Sequence, residues 1–343
     1  MEGITENNTQ AVFKPRAKIT GRQPLGDLAP LTTPIVVIID PSSACNFRCA
    51  FCPTGDHRLI HLTKRFQGFL DFEIYKKCID DLGAFGQNIH TLKLYKDGEP
   101  MLNPNFVEMV GYARSKAYIG KIMVTTNGSR LSRELSQRLV KSGLSIIHVS
   151  LEGMSAEKYR DFAKVNFDFD ALVEQIAYLY SIRGECEVSV KIPYENLAEG
   201  EEDRFLKIFG GICDSYFIES ISPVWPDFDV TNLGTLTQGV YRTGTVSLEV
   251  CPYIFYQMAI NSDGTVSACC VDWNRELVVG DARTTPLADI WNGLLYTNLR
   301  ITHLEKRRCE INSCRNCGQL THAAKDDIDA DAGRILQRIR TGE

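Results

Sequence analysis

The chain has 343 residues, 44% of them hydrophobic and 24% charged, with a formal net charge of -5. This length is enough for an α/β core and a smaller module. The acidic balance argues against a surface for polyanions, so nucleic acid is not an expected partner. The sequence shows neither a secretory signal nor a membrane-spanning run, which predicts a cytoplasmic protein without a membrane partner.

After a polar, irregular lead-in over 1–34, short β-branched runs alternate with longer amphipathic stretches. Strands are predicted at 34–40, 91–95, 121–125, 145–151, 187–192 and 216–221. Helices are predicted at 71–86, 104–117, 131–142, 155–182 (broken) and 200–210. Apolar runs joined by connections of crossover length indicate a buried parallel sheet. The fold class is therefore α/β, either an open doubly wound sheet or a partial (β/α)6, TIM-like barrel.

Loops with polar residues and glycine follow the first four predicted strands. They contain the cysteine-rich stretch 45–52, the turn 98–100, Asn127-Gly128 and Glu152-Gly153. The carboxyl ends of parallel strands meet at one edge of a sheet, and ligands bind there in both candidate folds. The site is therefore predicted at that edge.

The chain changes character after residue 222. Residues 223–250 are rich in Pro, Thr, Gly and Val and are interpreted as a bridge. A cysteine-bearing module follows over 251–318, and Asp263-Gly264 predicts a hairpin turn within it. The charged tail 319–343 has a helical pattern and is expected to form a solvated helix packed on the body.

Twelve cysteines in a chain without a secretory signal indicate metal or redox chemistry rather than disulfides. Cys45, Cys49 and Cys52 lie at intervals of four and three residues after the first strand. Three thiolates can hold a [4Fe–4S] cluster and leave its fourth iron open. S-adenosylmethionine (SAM) can bind that iron, and an electron can then cleave it to methionine and a 5′-deoxyadenosyl radical. The alternative is structural zinc, which usually takes four ligands grouped in pairs.

With Phe51 before its last cysteine, the triplet resembles the Cys-x3-Cys-x-aromatic-Cys motif of the radical SAM superfamily. The resemblance covers about 35–222 and implies a radical SAM core built as a partial (β/α)6 barrel. The stretch 95–100 resembles the family's GGEP-type motif, with Asp97 at the first glycine position. The resemblance implies that this stretch holds the SAM amino group. The SAM-binding residues that it implies are Phe51, Gly98, Glu99, Pro100, Asn127, Ser150, Arg160 and Lys191.

A second group of cysteines lies in the C-terminal module. Cys251 and Cys269 flank the predicted hairpin, and Cys314 and Cys317 form a Cys-x2-Cys pair. Four thiolates so placed suit either a second [4Fe–4S] cluster or a structural zinc ion. The first triplet favours the cluster.

The module resembles the SPASM/twitch extension of radical SAM enzymes, and its four positions resemble the one-cluster arrangement of the aminocyclitol (2-deoxy-scyllo-inosamine) dehydrogenases. It departs from full SPASM domains, which carry enough cysteines for two auxiliary clusters. The resemblance implies a cluster that transfers electrons and does not bind substrate. Cys270 and Cys309 are left over, and either can replace a neighbouring ligand. Cys270 is otherwise a small buried residue beside the cluster, or a hydrogen-atom donor as in radical SAM sugar epimerases.

The resemblance implies an enzyme for a small polar substrate such as a sugar, an aminocyclitol or a nucleotide-linked sugar, because the lead-in is too short for a peptide-recognition domain. The leading expectation is dehydrogenation, in which a base takes the hydroxyl proton and the auxiliary cluster takes the second electron. Glu152, Asp272 and His148 are the candidate bases. The alternatives are epimerisation with Cys270 as thiol, peptide or carbon–carbon bond chemistry, and a non-catalytic Fe–S or zinc scaffold. A reducing partner such as flavodoxin or ferredoxin is expected.

Overall fold

The computed structural model describes residues 11–15, 21, 23–234 and 236–342. The strands are β1 (Val12–Phe13), β2 (Val36–Ile39), β3 (Ile89–Leu94), β4 (Ile119–Thr126), β5 (Ile146–Ser150), β6 (Glu187–Pro193), β7 (Ser215–Glu219), β8 (Gln257–Ile260), β9 (Thr265–Ser267) and β10 (Val278–Asp281). They form one ten-stranded sheet in the order β1-β7-β6-β5-β4-β3-β2-β8-β9-β10.

Strands β2 to β7 stand side by side in chain order, and each neighbouring pair is parallel. This is the arrangement of a partial (β/α)6 barrel, and it excludes the doubly wound alternative because the strand order never reverses. Strand β1 pairs in parallel with β7 and β8 with β2, while β9 and β10 extend the sheet antiparallel. Strands β1 and β10 stand at its edges, so the sheet is not a closed barrel.

The helices are α1 (Leu25–Leu28), α2 (His57–Thr63), α3 (Phe72–Asp81), α4 (Phe106–Arg114), α5 (Arg133–Lys141), α6 (Ala156–Phe162), α7 (Phe169–Ile182), α8 (Glu201–Phe209), α9 (Leu287–Trp291), α10 (Leu294–Leu304), α11 (Asn312–Arg315), α12 (Gln319–His322) and α13 (Ala332–Thr341). Several crossover helices begin where an Asp or Ser side chain accepts hydrogen bonds from first-turn amides, which would otherwise lack partners. These caps are Asp71, Ser132, Ser155 and Asp168. Within the described ranges, no helix is both long and apolar enough to cross a membrane.

The two faces of the parallel sheet differ in chemistry. One face carries apolar side chains such as Val37, Leu92 and Val124, which are fully buried in the main core. The other face is also buried but polar, and the strand register aligns His148 with Ser189 on it. Buried polar side chains on this face include Thr91, His148, Ser189, Lys191 and Gln257. A polar interior shielded from water suits a polar ligand better than a packed core does.

Most predicted elements are present, and the helical pattern at 155–182 is broken into α6 and α7 as expected. The predicted hairpin is formed by β8 and β9. The lead-in is not wholly irregular, because its described residues include β1, which extends the sheet beside β7, and α1. The tail is helical only at α12 and α13. The predicted limit at 251 is not a sheet boundary, since β8 to β10 continue the core sheet; the domain limits stay predictions.

Candidate active site

The loop that carries Cys45, Cys49 and Cys52 joins β2 to α2 and is held on two sides. On one side, two backbone amides of the loop donate to carbonyls at and just after the end of α6, at 2.8 Å and 3.1 Å. On the other side lies Gly98, where an added β-carbon would stand 2.2 Å from the carbonyl oxygen of Ala44. Only glycine allows this close approach, so residue 98 controls how the cysteine loop sits.

The three thiols of this loop converge in partly buried positions. Burial raises the pKa of Cys45 to about 12. Burial also raises the pKa of Cys49 well above its usual value, and the nearby charges of Cys52 and Cys45 add to that shift. In the described part of the chain, no three His, Cys, Asp or Glu side chains are arranged to hold a single metal ion. Zinc needs every thiolate at about 2.3 Å from one centre, whereas a cubane spreads its ligands over separate irons. Three converging thiols in one loop fit the three protein ligands of a [4Fe–4S] cluster with an open iron.

Glu99 ties neighbouring strand ends together beside this loop. It is buried, and its Oε1 accepts a hydrogen bond from the Thr126 hydroxyl at 2.7 Å. Its Oε2 accepts one from the Asn127 amide, also at 2.7 Å. Burial raises the pKa of Glu99 to about 7, although these hydrogen bonds favour the carboxylate. Oε1 also accepts a hydrogen bond from the Met101 amide at 3.1 Å, so a further lone pair is left on Oε2. The contact of Glu99 with the SAM amino group stays a prediction.

Two further predicted SAM-binding side chains lie at the cysteine loop. The Asn127 side-chain amide donates to Asn46 Oδ1 at 3.0 Å. The Phe51 ring stacks on Phe162 of α6, with ring centroids 5.6 Å apart. Pro100 begins the short 3-10 turn that follows β3. These residues shape the loop and its surroundings, and their predicted SAM contacts remain predictions.

The other predicted SAM-binding residues lie on β5, β6 and α6. Ser150 and Lys191 are register partners on the polar face of β5 and β6. Lys191 forms a buried ion pair with Glu219 of β7. Arg160 is exposed in the last turn of α6. Ser150 and Lys191 therefore border the polar interior, whereas Arg160 faces solvent.

Glu152 is the candidate base nearest to the cysteine loop. It is buried, and its carboxyl forms a hydrogen bond with the thiol of Cys49. Burial raises the pKa of Glu152 to about 7, and the charge of Lys191 partly opposes that shift. Among the described residues, its Oε2 atom has no hydrogen-bond partner. His148 lies within β5, whereas Glu152 follows the end of that strand. Glu152 thus combines burial with an unused acceptor atom next to the predicted cluster.

Asp97, at the position where the family motif has glycine, is the centre of a buried ion cluster. Its carboxylate contacts Arg275 at 2.6 Å, Lys96 at 3.1 Å and Arg65 at 3.4 Å. Burial alone would raise the pKa of Asp97, but the three cations outweigh burial and hold it below its usual value. Asp40 lies beside them, and burial together with the charge of Asp97 raises its pKa to about 7. We call Arg65, Lys96, Asp97 and Arg275 the ion cluster.

The ion cluster joins the core to the C-terminal module. Arg65 lies over the Trp273 ring, 4.4 Å from its centroid. The Trp273 indole N–H donates to the Thr54 hydroxyl at 2.9 Å, two residues after Cys52. Sequence reasoning noted Asp97 only as a departure from a motif. Its partner Arg275 lies 178 positions away in the sequence, and no local sequence pattern predicts such a contact.

The four predicted auxiliary-cluster ligands border one cavity. Cys251 precedes β8, Cys269 follows β9, and Cys314 and Cys317 lie in and just after α11. Burial raises the pKa of Cys314 to about 12 and that of Cys317 to about 11, so these thiols stay protonated unless a metal binds. Apolar wall residues of the cavity include Ile254, Val271, Leu277 and Leu320. Four thiols around a largely apolar cavity fit an iron–sulfur cluster.

The two remaining cysteines of the module do not border that cavity. Cys309 is exposed. Cys270 accepts a hydrogen bond at 3.3 Å from Gln257, which belongs to the polar face of the sheet. A hydrogen bond between the adjacent thiols lowers the pKa of Cys270 and raises that of Cys269. Cys270 therefore contacts both the polar face, through Gln257, and the cavity cysteine Cys269.

Asp272, another predicted base, closes the turn between β9 and β10. Its Oδ2 accepts hydrogen bonds from the Ser267 hydroxyl at 2.8 Å and the Leu277 amide at 3.0 Å. Its Oδ1 accepts one from the Glu276 amide at 2.9 Å. Both oxygens are thus engaged, and the geometry favours this structural role over proton transfer.

Two protein-family models match the chain. The model of the radical SAM superfamily matches residues 39–206, and that of an iron–sulfur cluster-binding domain, SPASM, matches residues 251–318. The first match includes the cysteine loop and Glu152. The second includes all four cysteines of the cavity.

Two known proteins and one solved structure illustrate the similarity. Fe-coproporphyrin III synthase of Methanosarcina barkeri (strain Fusaro / DSM 804) is 32% identical over 127 residues, which cover 36% of this chain and only 29% of that relative. S-adenosyl-L-methionine-dependent 2-deoxy-scyllo-inosamine dehydrogenase of Niallia circulans is 21% identical over 299 residues, covering 86% of this chain and 96% of the relative. The crystal structure of BtrN in complex with AdoMet and 2-DOIA has a TM-score of 0.57 at 19% identity, covering 86% of this chain and 96% of that one. The last likeness shows a shared fold.

Proposed function

We propose that this chain, which belongs to the radical SAM superfamily and carries a SPASM iron–sulfur domain, oxidises a secondary alcohol of a small polar substrate to a ketone. The observation that carries the proposal is the single cavity bordered by Cys251, Cys269, Cys314 and Cys317. With four thiolate ligands, an auxiliary cluster has no vacant iron for substrate, so electron transfer is the role left to it. Similarity to a SAM-dependent dehydrogenase over 86% of the chain supports the same reaction class.

In this proposal, Cys45, Cys49 and Cys52 hold the first cluster, next to the loop shaped by Gly98 and Glu99. When bound, that cluster supplies the electron that cleaves SAM into methionine and a 5′-deoxyadenosyl radical. The chain's own contribution is to fix the loop and to bury its thiols in part. Partial burial limits the access of water to the reacting groups.

The buried polar face supports a polar substrate. Thr91, Ser189 and Gln257 offer hydroxyl and amide groups there, and the Lys191–Glu219 pair adds charged ones. The Niallia circulans relative is named for 2-deoxy-scyllo-inosamine, an aminocyclitol. We therefore take aminocyclitols, sugars and nucleotide-linked sugars as the substrate class.

We assign to Glu152 the role of the base that accepts the substrate hydroxyl proton. Its Oε2 has no partner among the described residues, and Glu152 lies beside Cys49. The carbinol carbon loses a hydrogen atom to the deoxyadenosyl radical, and the hydroxyl loses its proton to Glu152. The second electron goes to the auxiliary cluster held by the four cavity cysteines. Two electrons and two hydrogens leave the substrate in all, which is the oxidation of an alcohol to a ketone.

The test is anaerobic turnover of the reconstituted enzyme with SAM and a reductant in deuterated water. The substrates are 2-deoxy-scyllo-inosamine and a panel of sugars and nucleotide-linked sugars. We expect a ketone without solvent deuterium and one 5′-deoxyadenosine for each ketone. Cys45→Ala should abolish both products, and Glu152→Gln should slow ketone formation about 100-fold. Protein with intact, reduced clusters that forms no 5′-deoxyadenosine from SAM contradicts the proposal.

A second candidate, epimerisation, is favoured by the hydrogen bond between Cys270 and Gln257 on the polar face, because Cys270 is not a lining residue of the four-cysteine cavity. In that reaction the Cys270 thiol gives a hydrogen atom to the substrate radical from the opposite face. The resulting thiyl radical then takes one electron from the auxiliary cluster and one proton. Deuterium at an inverted carbon that disappears in Cys270→Ala supports epimerisation. A ketone whose yield is unchanged in Cys270→Ala supports dehydrogenation.

A further inference from the structure

His303 is a buried histidine at the cavity that the four cysteines of the C-terminal module border. It lies in the last turn of α10, and only 1% of its surface is accessible. It is one of the residues that line the cavity, although none of the cysteine motifs includes it. A buried imidazole has two polar nitrogen atoms, and each of them needs a hydrogen-bond partner.

The backbone determines which nitrogen of His303 carries the proton. The amide of Cys251 donates a hydrogen bond to Nδ1 at 3.3 Å. Because a backbone amide can only donate, Nδ1 is the acceptor and carries no proton. The ring is therefore neutral, with its proton on Nε2. Nε2 is thus a donor, and it could bind iron only if that proton left.

The Nε2 proton of His303 has no acceptor among the residues that the structure describes. A buried donor without an acceptor costs free energy, so such groups are rare unless a ligand or water satisfies them. An iron–sulfur cluster in this cavity brings sulfides and four thiolates, and these sulfur atoms accept hydrogen bonds. The cluster is therefore a chemically suitable acceptor for Nε2.

Hydrogen bonds fix α10 to the segments that carry two of the cavity cysteines. The Tyr296 hydroxyl donates to the carbonyl of Ala268, which directly precedes one of these cysteines, at 3.3 Å. Arg300 Nε donates to the carbonyl of Ile254, three residues after another of them, at 3.1 Å. Both side chains belong to the same buried face of α10 as His303. The position of His303 relative to the cysteines is therefore set by the fold, as is typical of groups that tune a metal site.

We propose that His303 donates a hydrogen bond from Nε2 to a sulfur atom of the auxiliary cluster, and that this bond raises the reduction potential of the cluster. Reduction adds negative charge to the cluster, so a donor stabilises the reduced form more than the oxidised form. The inference rests on the proposed function, in which the cluster accepts the second electron. In that step the substrate radical loses one electron and the cluster gains one. The proton of His303 stays on Nε2.

The test measures the reduction potential of the auxiliary cluster in the full-length chain. The substitutions Cys45→Ala, Cys49→Ala and Cys52→Ala remove the first cluster, so the EPR signal of this reconstituted parent protein comes from the auxiliary cluster alone. In the parent protein, His303→Met removes the donor, whereas His303→Gln keeps a side-chain N–H. The matched control is His322→Met, which changes another buried histidine that is not a lining residue of the cavity.

We expect His303→Met to lower the equilibrium constant for reduction of the cluster at least tenfold, which corresponds to a fall of about 59 mV or more for a one-electron couple. His303→Gln should recover most of this shift, because its amide can donate in place of Nε2. His322→Met should have the potential of the parent protein. In the holoenzyme, His303→Met should form less ketone for each 5′-deoxyadenosine, because the substrate radical transfers its electron less readily.

Nitrogen hyperfine spectra of the reduced cluster give a second readout, which does not require the His303 variants to assemble. With ¹⁵N-labelled histidine, the parent protein should show a weak histidine coupling that His303→Gln loses and His322→Met keeps. Absence of this coupling overturns the inference, as does the strong coupling of a directly bound nitrogen. An unchanged potential in His303→Met, or an equal shift in His322→Met, also overturns it. A holoenzyme that forms no ketone would instead contradict the proposed function, since the potential and the coupling are measured without substrate.

Discussion

Replacing Asp97 by Asn tests the ion cluster that joins the core to the C-terminal module. The Asp97 side chain has no exposed surface, and its carboxylate neutralises Arg65, Lys96 and Arg275. The Asn side chain keeps the shape but not the charge. Three cations are then left with Asp40 as the nearby carboxyl that faces them.

The expected loss can be worked from these contacts. Removing one partner of a buried ion pair costs about 3–5 kcal/mol, because the remaining charge is uncompensated. Asp40 reduces this cost. Its pKa is raised to about 7 by burial and by the charge of Asp97, so loss of Asp97 lets Asp40 ionise more readily. We therefore expect the free energy of unfolding to fall by about 3 kcal/mol. This is a large share of a typical domain stability of about 5–15 kcal/mol.

Urea unfolding of the metal-free protein at pH 7 measures this loss as a lower midpoint at unchanged slope. The matched control is Glu108→Gln, which removes a half-exposed pair with Arg138 and should cost less than about 1 kcal/mol. The folded-state pKa of Asp97 lies below the unfolded value of 3.8. Its contribution is therefore complete above that pH and falls as the pH drops towards the folded pKa. Equal stability of Asp97→Asn and wild type at pH 7, or an equally stable Asp97→Gly, would refute the reasoning.

Three substitutions test other contacts of the site. Gly98→Ala should displace the cysteine loop, because the new β-carbon would lie 2.2 Å from the Ala44 carbonyl oxygen. The rate of SAM-dependent 5′-deoxyadenosine formation should fall at least tenfold, and an unchanged rate contradicts the close approach. Cys317→Ala should lower the iron content from about eight to about four per chain while uncoupled SAM cleavage persists, and full iron in the variant excludes this ligand. Trp273→Phe keeps the ring but loses the hydrogen bond to Thr54; urea unfolding should show a loss of about 0.5–1.5 kcal/mol, and a more stable variant contradicts the role of that contact.

The parallel core was predictable because its physical cause is local. A strand covered on one face by helices needs β-branched and apolar residues, and β2 consists of Val and Ile alone. The position of β8 was not predictable in this way. Its four residues were read only as part of a hairpin, yet they also pair in parallel with β2. That pairing joins residues more than 200 positions apart in the sequence, and the hydrophobic periodicity of the sequence does not predict it.

The candidate site likewise has a part with local causes, which the sequence predicts, and a part that depends on contacts between distant residues. Spacing alone brought Cys45, Cys49 and Cys52 together, because thiols within one loop need no distant partner. The roles of the ion cluster could not be read in advance, since Asp97 and Arg275 meet only after folding. The role of Asp272 could not be read from the sequence for a related reason, because an acidic residue in a turn looks the same whether it transfers a proton or accepts backbone hydrogen bonds.

The pairing of β2 with β8 explains how one fold can keep two cysteine groups at a fixed separation. Strand β2 leads into the loop of Cys45, while β8 and β9 lie between Cys251 and Cys269. Neighbouring strands stand about 4.8 Å apart, and their register is set by backbone hydrogen bonds. The ion cluster and the Trp273–Thr54 hydrogen bond then connect the same two regions through side chains. Electron transfer to the second group from a substrate radical formed near the first would thus need no domain movement, which suits a reaction whose second electron must leave that radical quickly.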